Sequence, residues 1–324
     1  MAAKIPPKTI KISAPPRKIV RRSESSSGFH FLNLFQCCQR KFYLRYHLLI
    51  RPVYTHPALI FGSAFHEGKA TFYSEKSESK ALAIALQVLK GSKKELEHPE
   101  DLKEMEFRLT NMLHFWIAEH GLNDLRQYKV LAIEKELKVP IAHTQYIMTM
   151  RPDTILQDKL TKLIYIMETK TSSFSHRVTN EAVLYGDQAT AYLWGVRKQT
   201  KLMPYGVVPD ISFWSKQAKT VDGIKNIRGD IAIRSDYALE QFEKGVSQIL
   251  SEINQKALAY HRGRDPWLLF PRNSHYCLSY STPCEFASIC YEDCELMKKL
   301  PSKFKRSKAP KSPLDFVDDQ IASL

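Results

Sequence analysis

The sequence predicts an α/β domain: a mixed central β-sheet flanked by helices, with a mainly helical N-terminal part. Three observations lead there. The first third of the chain carries apolar side chains at helical spacing. From residue 129 the pattern changes to short β-prone runs parted by turn residues. Beyond that, helical and strand-like segments alternate without an internal repeat. A composition 44% hydrophobic and 25% charged suits a globular chain with a sizeable core.

The elements follow in order. Phe29 to Leu49 spaces aromatic and aliphatic residues as a helix does. Gly62 to Phe72 reads as a second helix, opened by Gly62-Ser63. Lys80 to Leu96 and Asp101 to Glu119 are amphipathic and free of proline. Lys129 to Val139 reads as a half-buried strand, and Tyr146 to Met150 and Lys162 to Met167 as short strands. Gln157-Asp158-Lys159-Leu160-Thr161 supplies a turn between the last two. Glu181 to Lys198 returns to helical spacing. Ile211 to Trp214 and Gly229 to Ile233 are strand-like, and Tyr237 to His261 is a long helix. One domain over residues 29–298 is expected, between a basic tail (1–28) and a flexible tail (299–324), both poor in aromatics.

The net charge is +14. Residues 1–28 hold seven basic side chains against Glu24, and residues 299–324 hold six against three Asp. Such arms suit nonspecific contact with phosphate or with a partner, and equally serve as solubilising tails. There is no apolar run of the roughly 18 residues that a membrane helix needs, and no secretory signal at the start. A cytoplasmic location, with no membrane contact, is the expectation. Without a G-x-x-x-x-G-K-[ST] loop, an ATP-driven motor is not expected.

The chemistry concentrates in Arg151-Pro152-Asp153, fourteen residues, then Glu168-Thr169-Lys170. E-x-K tripeptides also occur at Glu67–Lys69, Glu78–Lys80 and Glu136–Lys138. The first two lie in or beside expected helices, and no strand precedes the third to deliver an acid. Only Glu168 closes a strand that follows another with an Asp at its end. In such a hairpin Asp153 and Glu168 approach one another, and Glu168 and Lys170 share a face because strand side chains repeat every two residues. Two carboxylates with the Thr169 carbonyl form a hard oxygen site for Mg²⁺ or Mn²⁺. A metal there stabilises charge developing on an attacked phosphodiester and acidifies a bound water, and Lys170 can orient that water or neutralise the phosphate. The plain alternative is a hairpin with surface charges.

Pro152-Asp153…Glu168-Thr169-Lys170 resembles the signature of the PD-(D/E)XK nuclease superfamily, and most closely its RecB-like branch, which includes phage exonucleases and the CRISPR-associated four-cysteine nucleases. Further motifs of that branch occur in order. Cys38-Gln39-Arg40-Lys41-Phe42-Tyr43-Leu44-Arg45-Tyr46 matches a cysteine-led helix, with Gln39 in place of the usual proline. Phe61-Gly62-Ser63-Ala64-Phe65-His66 matches a helix whose histidine ligates the metal. Glu134 stands where the branch often has a strand glutamate, but is left outside the core site as a solvated strand residue. Gln188 and Tyr192 match a helix with Gln and Tyr one turn apart, which share a face. The resemblance implies a Mg²⁺- or Mn²⁺-dependent DNA nuclease, an exonuclease above all, serving replication, recombination or repair. Asp153, Glu168 and Lys170 would be catalytic. His66, Asp153, Glu168 and Thr169 would hold metal, and Gln188, Tyr192 and Arg151 would contact DNA. Arg151 departs from the small residue usual there, and an arginine suits phosphate. A non-catalytic DNA-binding or assembly subunit and a structure-specific endonuclease are the alternatives. A homo-oligomeric ring would thread DNA.

The six cysteines, two early and four late, do not read as a disulfide framework. Many RecB-like nucleases hold an iron–sulfur cluster with one early and three late cysteines. The resemblance therefore implies a [4Fe–4S] cluster on Cys38, Cys277, Cys284 and Cys290, with Cys37 and Cys294 as alternative ligands. Cys284-x5-Cys290 has the family spacing and Cys277-x6-Cys284 does not. Zinc, or reduced thiols without metal, are the other readings.

Overall fold

The computed structural model describes residues 28–142, 144, 146–173, 175–215, 220–279, 282–291 and 300–307. The tails at 1–27 and 308–324, and with them Cys294, lie outside the described residues. The N-terminal segment holds α1 (Phe29–Cys37), a short α2 (Gln39–Phe42) and a π-helical turn at Tyr43–His47, then β1 (Ile50–Pro52). The single helix expected over 29–49 breaks at Cys38, whose backbone is extended. Next come α3 (Pro57–Glu75) and α4 (Glu78–Gly91). Pro57 starts α3 where its missing N–H costs nothing, after His56 as cap, and Ser77 caps α4 by accepting from the Lys80 N–H. The third and fourth in this layer are α5 (Leu102–Trp116) and α6 (Leu122–Gln127), joined by a π-helical turn.

The region expected as one strand, 129–139, divides at Glu134 into β2 (Tyr128–Ile133) and β3 (Leu137–Pro140). β3 pairs with β4 (Ile147–Met150) in a separate two-stranded sheet. The hairpin of β5 (Thr154–Asp158) and β6 (Ile164–Ser172) follows. Its turn is fixed by Asp158 Oδ1, which accepts from the N–H groups of Leu160 and Thr161, each at 2.8 Å. Two helices, α7 (His176–Leu184) and α8 (Asp187–Thr200), stand where one was expected. The break is at Gly186, where a Cβ would sit 2.3 Å from the Ala182 carbonyl oxygen. They form the crossover that a parallel neighbour requires, leading to β7 (Pro204–Trp214). β8 is Ile224–Arg228, five residues before the strand expected at 229–233, where only Ala232 bridges back to Val207. The long α9 (Asp236–His261) is capped by Ser235.

The central sheet has five strands in the order β2-β5-β6-β7-β8, parallel only between β6 and β7. Its strands alternate between two cores. Leu156 and Met167 pack on the α3–α5 layer, while Ile155, Ile166 and Val207 pack on the side of α1, α8 and α9. A smaller cluster closes the ends of the chain. It joins Leu44 and Ile50 to Phe286, Ile289 and Phe304, around short α10 (Pro266–Leu269), β9 (Leu278–Ser279), β10 (Thr282–Pro283), α11 (Ala287–Cys290) and β11 (Phe304–Arg306). β11 pairs antiparallel with β1, so regular structure runs past residue 298, where the sequence placed the start of the tail.

Candidate active site

The alternation of β6 sorts its chemistry. Ile166 faces the α8 side, so Glu168 and Lys170, two and four residues on, face it too. Met167 faces the α3 side, and Thr169 follows it. Asp153 lies just before β5 rather than at the end of β4, and the register of Thr154 with Met167 sets it beside Glu168. Asp153 Oδ2 accepts the Thr169 N–H at 2.8 Å, and Oδ1 lies 3.0 Å from His66 Nδ1 on α3.

Glu134 joins these two. Its backbone is left-handed (φ 46°), and its N–H donates to the Asp153 carbonyl at 2.8 Å. A non-glycine residue in that region is uncommon and is held there by its surroundings. The turn ends β2 and brings Glu134 Oε1 to 3.8 Å from His66 Nδ1, with only 5% of the side chain exposed. Ligand atoms of His66, Glu134 and Asp153 all lie within 4.8 Å of one another. Glu134 is thus not a solvated strand residue. Sequence reading missed it because it sits where the strand pattern stops.

Glu168 stands beside this group and is 3% exposed. Burial pushes its carboxyl above the usual glutamate range and the Asp153 charge adds to this, while Lys170 and His66 act the other way. Lys170 Nζ donates to Glu168 Oε1 at 2.5 Å and to Gln188 Oε1 at 3.0 Å. Gln188 Nε2 donates to the Tyr192 hydroxyl at 3.0 Å, which donates to the Arg151 carbonyl at 3.3 Å. The Gln and Tyr of α8 therefore fix Lys170 and tie it to the segment bearing Asp153. The Arg151 guanidinium, about a third exposed, lies 3.6 Å from Glu136. Glu168 Oε2 is buried and has no hydrogen-bond partner. Three acids against one lysine and one imidazole, with an unsatisfied carboxylate oxygen, are a donor set that fits a hard divalent cation.

On the α3 side a second polar cluster is buried, apart from Arg228 at its edge. Lys69 Nζ donates to Thr169 Oγ1 at 2.7 Å and to Asp210 Oδ2 at 2.5 Å. Trp116 Nε1 donates to Asp210 Oδ2 at 3.1 Å. Arg228 reaches Asp210 Oδ1 at 3.2 Å and Asp124 Oδ2 at 2.6 Å, and the Tyr73 hydroxyl donates to Asp124 at 2.5 Å. Burial works against the Asp210 charge, but Arg228 and Lys69 outweigh it and pull its carboxyl down to about 2.

The four cysteines expected as a ligand set form no compact metal-holding group: among the described residues that arrangement is met by His66, Glu134 and Asp153. Cys38 is buried, and Cys277, Cys284 and Cys290 are half-buried and not in disulfides. Burial raises the Cys290 thiol, and it feels the charges of Cys38, Cys277 and Cys284. Arg40 anchors the segment through the carbonyls of Phe270 (2.8 Å) and Trp267 (2.6 Å). Cys37 instead bonds Asn33 at 3.7 Å.

A mixed five-stranded sheet whose central hairpin carries Asp, Glu and Lys at the spacing D…E-x-K, beneath a histidine-bearing helix, defines a recognisable class of α/β proteins. The chain belongs to the PD-(D/E)XK nuclease superfamily, whose family model matches residues 30–291. Several solved structures are also similar, two of them as follows. The crystal structure of SSO0001 is 14% identical, covers 65% of this chain and 84% of its own, and has a TM-score of 0.26. That of LHK-Exo in complex with dAMP is 15% identical, covers 63% of this chain and 96% of its own, with a TM-score of 0.25. No curated protein matches the sequence. Among the described residues, no helix is long and apolar enough to cross a membrane.

Proposed function

We propose that this protein is a Mg²⁺- or Mn²⁺-dependent deoxyribonuclease, acting as an exonuclease on DNA ends in replication, recombination or repair. The observation that carries the reading is the convergence of His66, Glu134 and Asp153 at one end of the hairpin, with Glu168 beside them and Lys170 held against Glu168. Those four side chains, with the Thr169 carbonyl, would hold the cation. When bound, it supplies Lewis-acid stabilisation of the phosphate and a more acidic water.

The chain's own groups do the rest. Lys170 is held against Glu168 and aimed by Gln188, so it can neutralise a phosphate oxygen or steer a nucleophilic water. Tyr192 fixes Gln188. Arg151 can leave its loose contact with Glu136 for the phosphate backbone. The net charge of +14 favours a polyanionic substrate.

Labelled single-stranded DNA, duplex DNA and RNA, each with and without Mn²⁺, test the reading. Metal-dependent shortening of DNA from its ends is expected. Binding without cutting under any metal would favour a DNA-binding subunit that keeps the fold, and cutting at internal branch points a structure-specific endonuclease.

A [4Fe–4S] cluster on Cys38, Cys277, Cys284 and Cys290 is a second element of the proposal; it rests on the resemblance and on the mutual electrostatic influence of those thiols, which would have to draw closer to hold it. It would staple the N-terminal helix to the C-terminal segment. Anaerobically purified protein should be brown and contain iron. A colourless, iron-free preparation overturns the cluster and leaves the nuclease reading untouched.

A further inference from the structure

Lys69 lies on α3 one turn after His66 and is 3% exposed. Its ammonium has three donors, and two of them are spent on Thr169 Oγ1 and Asp210 Oδ2. Thr169 is also the residue whose N–H holds Asp153 Oδ2 at 2.8 Å. A single residue of β6 is thus gripped from behind through its hydroxyl and grips the front carboxylate through its amide. The parallel register sets Asp210 on β7 directly opposite Thr169. Asp210 is itself 0% exposed and is fixed by Trp116 and Arg228. Residues from four elements, α3, α5, β7 and β8, therefore back Thr169 through Lys69 and Asp210.

Packing alone does not call for this. A buried ion pair costs more desolvation than an apolar contact of the same volume, and apolar replacements are often as stable. What the ion pair adds is fixed direction, because each donor–acceptor pair allows a narrow range of geometry. Groups that orient metal ligands from behind commonly govern metal affinity as strongly as the ligands' own neighbours do.

We propose that Lys69 and Asp210 are positioning residues of the metal site: they lock Thr169 so that its amide holds the Asp153 carboxylate in place to bind a divalent cation. The proposal rests on the metal-dependent nuclease reading above.

Thr169→Val removes the hydroxyl and keeps the β-branched shape, while Thr169→Ser returns the hydroxyl. Mn²⁺ affinity of the full chain is measured by titration calorimetry, beside Mn²⁺-dependent cleavage of DNA. The valine variant should bind Mn²⁺ about 10- to 100-fold more weakly, with the loss in turnover rather than in KM for DNA. The serine variant should regain most of that affinity. Asp210→Asn should weaken Mn²⁺ in the same direction. If the valine variant does not fold, Lys69→Arg, which keeps the charge but changes the donor geometry, is read in its place. Wild-type Mn²⁺ affinity in these variants, with only the melting temperature lowered, overturns the inference and leaves the nuclease reading standing. A wild-type chain that neither binds Mn²⁺ nor cuts DNA overturns both.

Discussion

The two sides of β6 carry buried charge in opposite ways. Behind the strand, Lys69 and Arg228 face Asp210 and Asp124, two cations against two anions, with aromatic donors filling the gaps. In front, Glu134, Asp153 and Glu168 face Lys170 and a histidine, and Glu168 Oε2 has no hydrogen-bond partner. A balanced cluster has its charges matched as the chain folds, although Arg228 Nε, an ion-pair partner of Asp210, makes no hydrogen bond. On the proposed reading the anion-rich one takes a cation that the chain does not supply, since burying an excess of one charge is costly. The difference teaches which cluster is scaffold and which is site, although the two share Thr169.

The comparison can be broken from the back first. Asp210→Ala leaves Lys69 and Arg228 short of a counter-charge, and should lower the unfolding free energy by about 3–5 kcal/mol in urea titrations. A loss of under about 1 kcal/mol would mean that the back cluster is not the scaffold.

From the front, Lys170→Ala should cut turnover on DNA about 10²- to 10³-fold, while gel-shift binding of DNA persists and stability barely moves. Parallel loss of binding and cutting in a folded variant would remove Lys170 from the chemistry. Glu168→Gln should also abolish cutting, yet raise the stability of the metal-free protein in urea titrations, since it neutralises an acid that burial disfavours as a charge.

The smallest effect is in pH. The Glu168 carboxyl is raised above its ordinary 4.5 by burial and the Asp153 charge. Its contribution to metal-free stability is full below that value and is lost as pH rises through the raised one. Asp210, held down to about 2 from 3.8, contributes stability above 3.8 that is lost as pH falls towards 2. Melting curves of metal-free protein should therefore show opposite slopes in the two windows, the upper one absent in Glu168→Gln.

Legibility of these clusters in the sequence followed distance along the chain. Asp153, Glu168 and Lys170 sit in one hairpin, so a period of two and a turn suffice to bring them together. Gln188 and Tyr192 are one helical turn apart, and the helix alone aligns them. Lys69 bonds Asp210 across 141 residues, and no local pattern joins them. Within the sequence Lys69 stands in one of the E-x-K tripeptides set aside as helical, and its value appears only when β7 lies beside β6. Glu134 was hidden for another reason: its left-handed backbone ends the strand pattern, which made it look peripheral. The mixed sheet and its flanking helices were legible from periodicity, whereas the breaks at Cys38, Glu134 and Gly186 reflect tertiary demands on short segments.

The central claim is that a divalent cation completes the front cluster. Crystals soaked in Mn²⁺ and measured for anomalous scattering test it most directly. The account predicts a peak within coordination distance of His66, Glu134 and Asp153, bordered by Glu168. No peak there, or Mn²⁺ bound only elsewhere on the surface, would contradict it.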